Sequence, residues 1–430
     1  MLDCVKPSQI ETGAETGRPL RILLAGYRSH PYVGGQGVYL RELSRALLAL
    51  GHEVEVASGP PYPDLDARVR LIRLPSLDLF SEANAFLALR PRHLRRWADI
   101  SEYLAHNTGA FGEMRAFAWR LNAYLTANPG RYDVIHDNQT LSPPMLRIAR
   151  RHAPMVVTLH HPISRDLSLA LQSAPNAWRR LWVRRWHGFV RTQARVARKT
   201  PHILTVSQAS KRAAIADFGL RPEQLTVAFN GIDHSLYRPD PDTPFDVGRI
   251  VAAASADTPL KGLETLIHAF AIVRAKRPDA RLTVLGRLRE SPAKAALEAH
   301  GLSNAVEFVS GLDPADVAVL YRRAHVLAAP SLFEGFGFPA AEAMACGTPV
   351  VVSDGGALPE IVGDGGLVTP KKNPEALAEA LLGVLNDPAE RARLSTAGRR
   401  RAVGAFRWEA HAQAAANLYR QAMADAHYPA

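Results

Sequence analysis

Cysteine is nearly absent: Cys4 and Cys346 are the only two in 430 residues. Two thiols rule out a disulfide framework and fit a reducing compartment. Long apolar runs are missing as well; none approaches the roughly 18 residues of a membrane-spanning helix. The opening "MLDCVKPSQIETGAETGRPL" has no charged-then-apolar signal pattern and reads as a polar tail over residues 1–20. These absences lead to the expectation of a cytoplasmic protein. No Asp-x-Asp pair stands in a strand–loop context, and no His/Cys cluster has ligand spacing, so no metal site is expected. Acidic residues are outnumbered, 41 against 52 Lys and Arg, for a formal charge of +11. That balance favours anionic partners such as nucleotides, nucleic acid or anionic lipid. No recognised nucleic-acid module occurs, so nucleic acid is not an expected partner.

What is present is ordinary globular material, 47% hydrophobic and 22% charged. A chain of this length has enough of it for two cores. Short β-rich runs alternate with longer helical patterns. "RILLAGY" (21–27), "YDVIHDN" (132–138) and "MVVTLHH" (155–161) stand in the first half. "RIVAAAS" (249–255), "RLTVLG" (281–286), "AHVLAAPS" (324–331) and "TPVVVSD" (348–354) stand in the second. Their apolar residues are consecutive rather than alternating, which means burial on both faces of a parallel sheet. The pattern predicts an α/β chain of two doubly wound, Rossmann-like domains facing a cleft. "DHSLYRPDPDTPFDVG", rich in Pro and Asp, marks a linker near residues 238–247. The expected domains are 21–240 and 241–406, with a C-terminal helix over 407–430 packing back across them. Ligands in such sheets sit beyond the carboxyl ends of the strands.

One stretch carries the most chemistry. "LFEGFGFPAAEAMACGTPVVVSD" (332–354) is a glycine loop, a short helix and a strand. Pro339 suits the first helical turn and Gly347 the C-terminal cap. A helix start offers unpaired N–H groups to an anion, and Gly335 and Gly337 let backbone approach a ligand closely. Glu334 and Glu342 flank this anion site, although carboxylates repel phosphate. A carboxylate is an acceptor for paired hydroxyls. A ligand with hydroxyls at both ends and phosphates between them, a nucleotide-sugar, reconciles the two features.

"EGFGFPAAEAMACGTPVV" resembles the signature of the family-4 glycosyltransferases, which have the GT-B fold. The resemblance runs from Arg21 to about Arg420 through "GGQGVYLRELSRALLALGHEV", "FNGID", "LKGLETLIHAF" and "SDGGALPEIVGDGG". It implies that Glu334 reaches the donor sugar hydroxyls and the loop amides, and that Glu342 holds the nucleotide ribose. It implies that the backbone of the Gly335–Phe336–Gly337–Phe338 loop faces the diphosphate. Gly35 and Gly37 of "GGQG" would approach the donor phosphate from the N-terminal domain. His160, in "Thr-Leu-His", would line the donor sugar beside the reaction centre. Lys261 would neutralise the leaving diphosphate, jointly with an arginine six residues earlier. Here that place is Ser255, a departure from the family pattern, and Arg287 after "RLTVLG" is the candidate substitute.

His136, Asn138 and His161 also end strands and are cleft candidates. Asn230 and Gly231 of "FNGID" read as a turn. "APNAWRRLWVRRWHGFVRTQARVARKT" (174–200) carries eight Arg and Lys and no acid. Its Trp178, Trp182 and Trp186 fall on one helix face. The preferred reading is a core-packing stripe with a solvated arginine face; the alternative is an interfacial helix resting on anionic lipid. The resemblance implies a retaining, metal-independent transferase moving a sugar from a UDP- or GDP-sugar co-substrate to a hydroxyl acceptor, without a further cofactor. The donor would sit on the C-terminal domain and the acceptor on the N-terminal one, with 77–107 as an acceptor region. Rival readings are a phosphorylase on the same architecture, a two-carboxylate hydrolase, and a non-catalytic sugar-nucleotide or lipid binder.

Overall fold

A computed structural model describes residues 18–31, 35–79, 81, 84–254 and 259–427 of the chain. The first sheet has seven strands: β1 (Arg21–Gly26), β2 (Glu53–Ser58), β3 (Arg70–Arg73), β4 (Val134–Asn138), β5 (Met155–Leu159), β6 (Ile203–Thr205) and β7 (Leu225–Val227). Their order is β3-β2-β1-β4-β5-β6-β7, and every pairing is parallel. The second has six: β8 (Arg249–Ala253), β9 (Arg281–Leu285), β10 (Val306–Val309), β11 (Val326–Ala329), β12 (Val350–Ser353) and β13 (Gly366–Thr369). It too is all parallel, in the order β10-β9-β8-β11-β12-β13. All residues of β4, β5 and β12 are buried. Helices cover both faces, which is why β5 and β12 read as nearly unbroken apolar runs.

Each sheet reverses its winding once, between β1 and β4 and between β8 and β11. Loops after these four strands therefore open away from each other, and a crevice forms above them. β13 escaped the sequence reading, because "GLVT" begins on the last glycine of "GDGG".

Two chain crossings join the domains side by side. The Ile232 N–H donates to the Phe406 carbonyl at 3.1 Å. A Cβ on Gly231 would sit 2.3 Å from the Trp408 nitrogen. Gly231 is thus needed for a close approach, beyond serving a turn. The terminal helix Trp408–His427 then returns to the first sheet. Its Trp408, Ala412, Ala415 and Tyr419 are buried with Ile22, Leu24 and Tyr39.

The helix Ala177–Trp186 departs from its expected role. It has no buried residue; Trp178 is 66% and Trp182 39% exposed. The core-stripe reading fails because Trp178 stays exposed, Trp182 only covers Gly109 at the surface, and Trp186 packs onto Phe111 at 5.6 Å. Among the described residues, no helix is long and apolar enough to cross a membrane.

Candidate active site

The signature segment sits at the second switch point. β11 ends at Ala329, and the chain turns through Glu334 into the helix Phe338–Ala345. Gly337 caps that helix at φ 101, and a Cβ there would meet Leu358 at 2.8 Å. Only glycine fits both demands. Pro339 follows in the first turn, where a missing N–H costs nothing. The helix start thus faces the crevice with unpaired amide and partial positive charge.

Lys261 arrives from the loop after β8. Gly262, at φ 66, lets this loop press on the Pro330 carbonyl, 2.1 Å from where a Cβ would be. Lys261 Nζ lies 2.7 Å from Glu334 Oε1. The Ser331 hydroxyl donates to the same oxygen at 2.8 Å. A cation, a carboxylate and a helix start therefore converge.

Glu342 lies one turn further on. Burial pushes its carboxyl up to about 7, while hydrogen bonds from the Tyr321 and Tyr237 hydroxyls and the nearby Arg41 charge oppose that shift. The residue keeps a partly exposed edge. Neither tyrosine nor Arg41 emerged from the sequence. They come from the helix before β11, the linker and the opening helix, with no spacing in common.

His160 follows the last residue of β5. Its ring stands edge-on to Tyr39 with centroids 4.8 Å apart. Asn138 Nδ2 donates to the Gln36 carbonyl at 3.4 Å, which leaves Oδ1 to accept from His160 Nε2 at 2.7 Å. This network assigns the proton to Nε2 and a lone pair to Nδ1. Burial first, and then the His161 and His411 charges, pull His160 down to about 3, so its ring is neutral.

Gln139 holds this corner and was missed by the sequence reading. Its Oε1 accepts from the His160 N–H at 2.7 Å, and its Nε2 donates to the His161 carbonyl at 2.8 Å. Its backbone is left-handed, φ 58, in a turn where Asp137 accepts from the Thr140 and Leu141 amides. "DNQTLS" after a strand was the available signal, since short polar side chains favour such turns.

The two halves touch here. A Cβ on Gly335 would sit 2.6 Å from the His160 carbonyl oxygen. The Ser207 hydroxyl donates to the Gly335 carbonyl at 2.6 Å, and Glu360 accepts from the Gln208 and Ala209 amides at 2.7 and 3.1 Å. His161 pairs with Asp166 at 3.1 Å and packs on Phe333, centroids 6.1 Å apart. Gly35 faces the Phe338 ring, 3.8 Å from its would-be Cβ. Gly37 is fixed by the fold, since a Cβ would sit 2.1 Å from the His30 carbonyl oxygen.

Three candidates stand apart. His136 is corrected from cleft to core: it is 1% exposed, and its ring nitrogens lie 2.5 Å from the Tyr419 hydroxyl and 2.6 Å from Thr158 Oγ1. The terminal helix covers it. The Phe336 side chain is buried against Phe406 and Phe229, so only its backbone borders the crevice. Arg287 is exposed and donates to Ser310 at 3.0 Å, towards β10. Ser255 and Gly34 lie outside the described residues. Among the described residues, no group of three or more His, Cys, Asp or Glu is placed to hold a metal.

Comparison with known proteins identifies the family and the fold. Residues 33–236 match the family described as Glycosyltransferase Family 4, and residues 243–401 match Glycosyl transferases group 1. The chain is similar to the MMP alpha-(1->4)-mannosyltransferase of Mycolicibacterium hassiacum, 45% identical over 411 residues, covering 94% of this chain and 99% of that one. It is 30% identical over 429 residues to a D-inositol 3-phosphate glycosyltransferase of Frankia alni, covering 91% of this chain and 96% of that one. Among solved structures, sucrose-phosphate synthase from Thermosynechococcus elongatus matches with a TM-score of 0.71 at 26% identity, covering 95% of this chain and 100% of that one. The chain belongs to the family-4 glycosyltransferases and has their GT-B fold.

Proposed function

We propose that the protein is a retaining α-(1→4)-mannosyltransferase that draws its sugar from a nucleoside-diphosphate mannose. The observation that carries the transferase chemistry is the convergence of Lys261, Glu334 and the Gly337-capped helix opposite His160. The printed activity of the Mycolicibacterium relative supports mannose and the 4-hydroxyl acceptor. In the donor the sugar is α-linked to phosphate. An α product therefore means retention.

As the anomeric C–O bond breaks, charge grows on the leaving phosphate oxygens. Lys261 and the helix-start amide stabilise that charge without reorganising, so the step needs no metal. Glu334 anchors Lys261 and offers acceptor oxygens to the sugar hydroxyls. Glu342 takes the ribose hydroxyls, and His160 lines the transferred sugar with a neutral ring. The acceptor approaches from the N-terminal domain.

The test is transfer by the purified protein from GDP-mannose, UDP-glucose and ADP-glucose to a mannoside with a free 4-hydroxyl, with and without EDTA. An α-(1→4) mannoside formed from GDP-mannose in both conditions is the expected result. A β product refutes retention, loss of transfer with EDTA refutes metal independence, and transfer only from a glucose donor refutes the mannosyl assignment.

A further inference from the structure

One face of the N-terminal domain is apolar and carries charge of one sign. Among the described residues, most exposed large apolar side chains fall within two short segments, 86–104 and 178–182. In the first, 3₁₀ turns at Ala85–Leu87 and Pro91–Arg95 lead into the helix Trp97–Asn107. Phe86, Leu87 and Trp97 stand out there, and Trp178 and Leu181 in the second. The segments are joined. A Cβ on Gly109 would lie 2.0 Å from the Trp182 ring, and Arg185 Nε donates to the Thr108 carbonyl at 2.7 Å.

The charge is as uneven as the hydrophobicity. Four arginines lie within 90–96 and four within 179–185, all exposed. Residues 85–107 and 177–186 contain two acids, Asp99 and Glu102. Both are buried, and each turns inward to Arg120 at 2.5 Å. Among the described residues of these segments, the outward face therefore presents tryptophan, leucine and guanidinium with no carboxylate.

We propose that this face docks the enzyme on an anionic lipid bilayer. Aromatic and aliphatic side chains enter the headgroup boundary while arginines meet lipid phosphates. Among the described residues this face exposes no carboxylate to accept from sugar hydroxyls, while its eight exposed arginines match lipid phosphates. A second copy packed on the same patch would bring like charges together. Both segments belong to the N-terminal domain, so docking holds that domain and leaves the donor domain free to move. This proposal is independent of which sugar is transferred.

The full-length protein would be sedimented with phosphatidylcholine vesicles and with vesicles containing about one-third phosphatidylglycerol. Binding at least about tenfold stronger to the anionic vesicles, and weaker in salt, is expected. Trp178→Ser/Leu181→Ser should lower it by about tenfold or more. Arg179→Gln/Arg180→Gln should lower it too, with melting temperatures unchanged because these side chains are exposed. No binding, equal binding to neutral vesicles, or binding untouched by both variants would overturn the proposal. Tryptophan quenching by a neutral oligosaccharide, lost in Trp178→Ser/Leu181→Ser, would also overturn it in favour of a sugar platform.

Discussion

Glu342→Gln should stabilise the ligand-free protein while removing nucleotide binding. Burial raises the Glu342 carboxyl from an ordinary 4.5 to about 7. At about 1.36 kcal/mol per pH unit, ionising it in the folded state costs about 3 kcal/mol at pH 8. The folded value lies above the unfolded one. The cost is therefore absent below pH 4.5 and grows as pH rises through about 7. At pH 5.5 it has fallen to about 1 kcal/mol. Glutamine never ionises, yet its amide still pairs with the Tyr237 and Tyr321 hydroxyls. For a domain of this size about 3 kcal/mol corresponds to roughly 6–12 °C in Tm. The assay is thermal unfolding of both proteins without ligand at pH 8 and pH 5.5, repeated with saturating nucleoside diphosphate. The variant should melt higher at pH 8, lose most of that margin at pH 5.5 and show no nucleotide shift. An equal or lower Tm at pH 8 would refute the argument that a strained carboxylate is kept for its ligand. Stability traded for function in this way is common at binding sites.

Three further outcomes follow from the cleft. Lys261→Met should lower kcat about 100-fold or more, as loss of one preorganised charge-stabilising donor does, with the fold intact by circular dichroism; near-normal turnover would remove Lys261 from the diphosphate site. Gly335→Ala places a methyl 2.6 Å from the His160 carbonyl oxygen. It should therefore depress kcat without lowering Tm by more than a few degrees, and full activity would show that these loops need not meet. Gln139→Leu removes the amide clamp on His160 and His161. Its kcat should fall about tenfold with donor affinity little changed, since orientation rather than contact is lost; equal loss in both would mark Gln139 as merely structural.

Much of the architecture was legible because it rests on local pattern. Consecutive apolar residues in "MVVTLHH" and "TPVVVSD" require strands covered on both faces, and two such series require two sheets. The glycine loop of Gly335 and Gly337 before a proline-started helix was legible from backbone chemistry alone, whereas the roles of Glu334 and Lys261 came through the family resemblance and only the fold brings their charged ends to 2.7 Å. β13 was not legible, since "GLVT" begins on the last glycine of "GDGG", whose glycines mark a turn.

The parts decided by tertiary structure share one cause: what covers a side chain comes from far along the chain. The sequence pattern reads both His136 and His160 as ending strands, but His136 lies within β4 and His160 just past the end of β5. The terminal helix brings Tyr419 onto His136 and closes it into the core. His160 stays at the cleft edge, turned by Asn138 and Gln139. The tryptophans of 178–186 have perfect helical spacing, and periodicity shows that they share a face but not what that face meets. Glu342 is strained by burial, and the Tyr237 and Tyr321 hydroxyls that partly relieve it lie over 80 residues apart. The sequence by itself determined the α/β class, the paired sheets and the glycine loop ahead of a proline-started helix, through periodicity and backbone chemistry. The folded chain alone decided which histidine is neutral at the cleft, which carboxylate is strained and which tryptophans face outward, because burial is a property of neighbours.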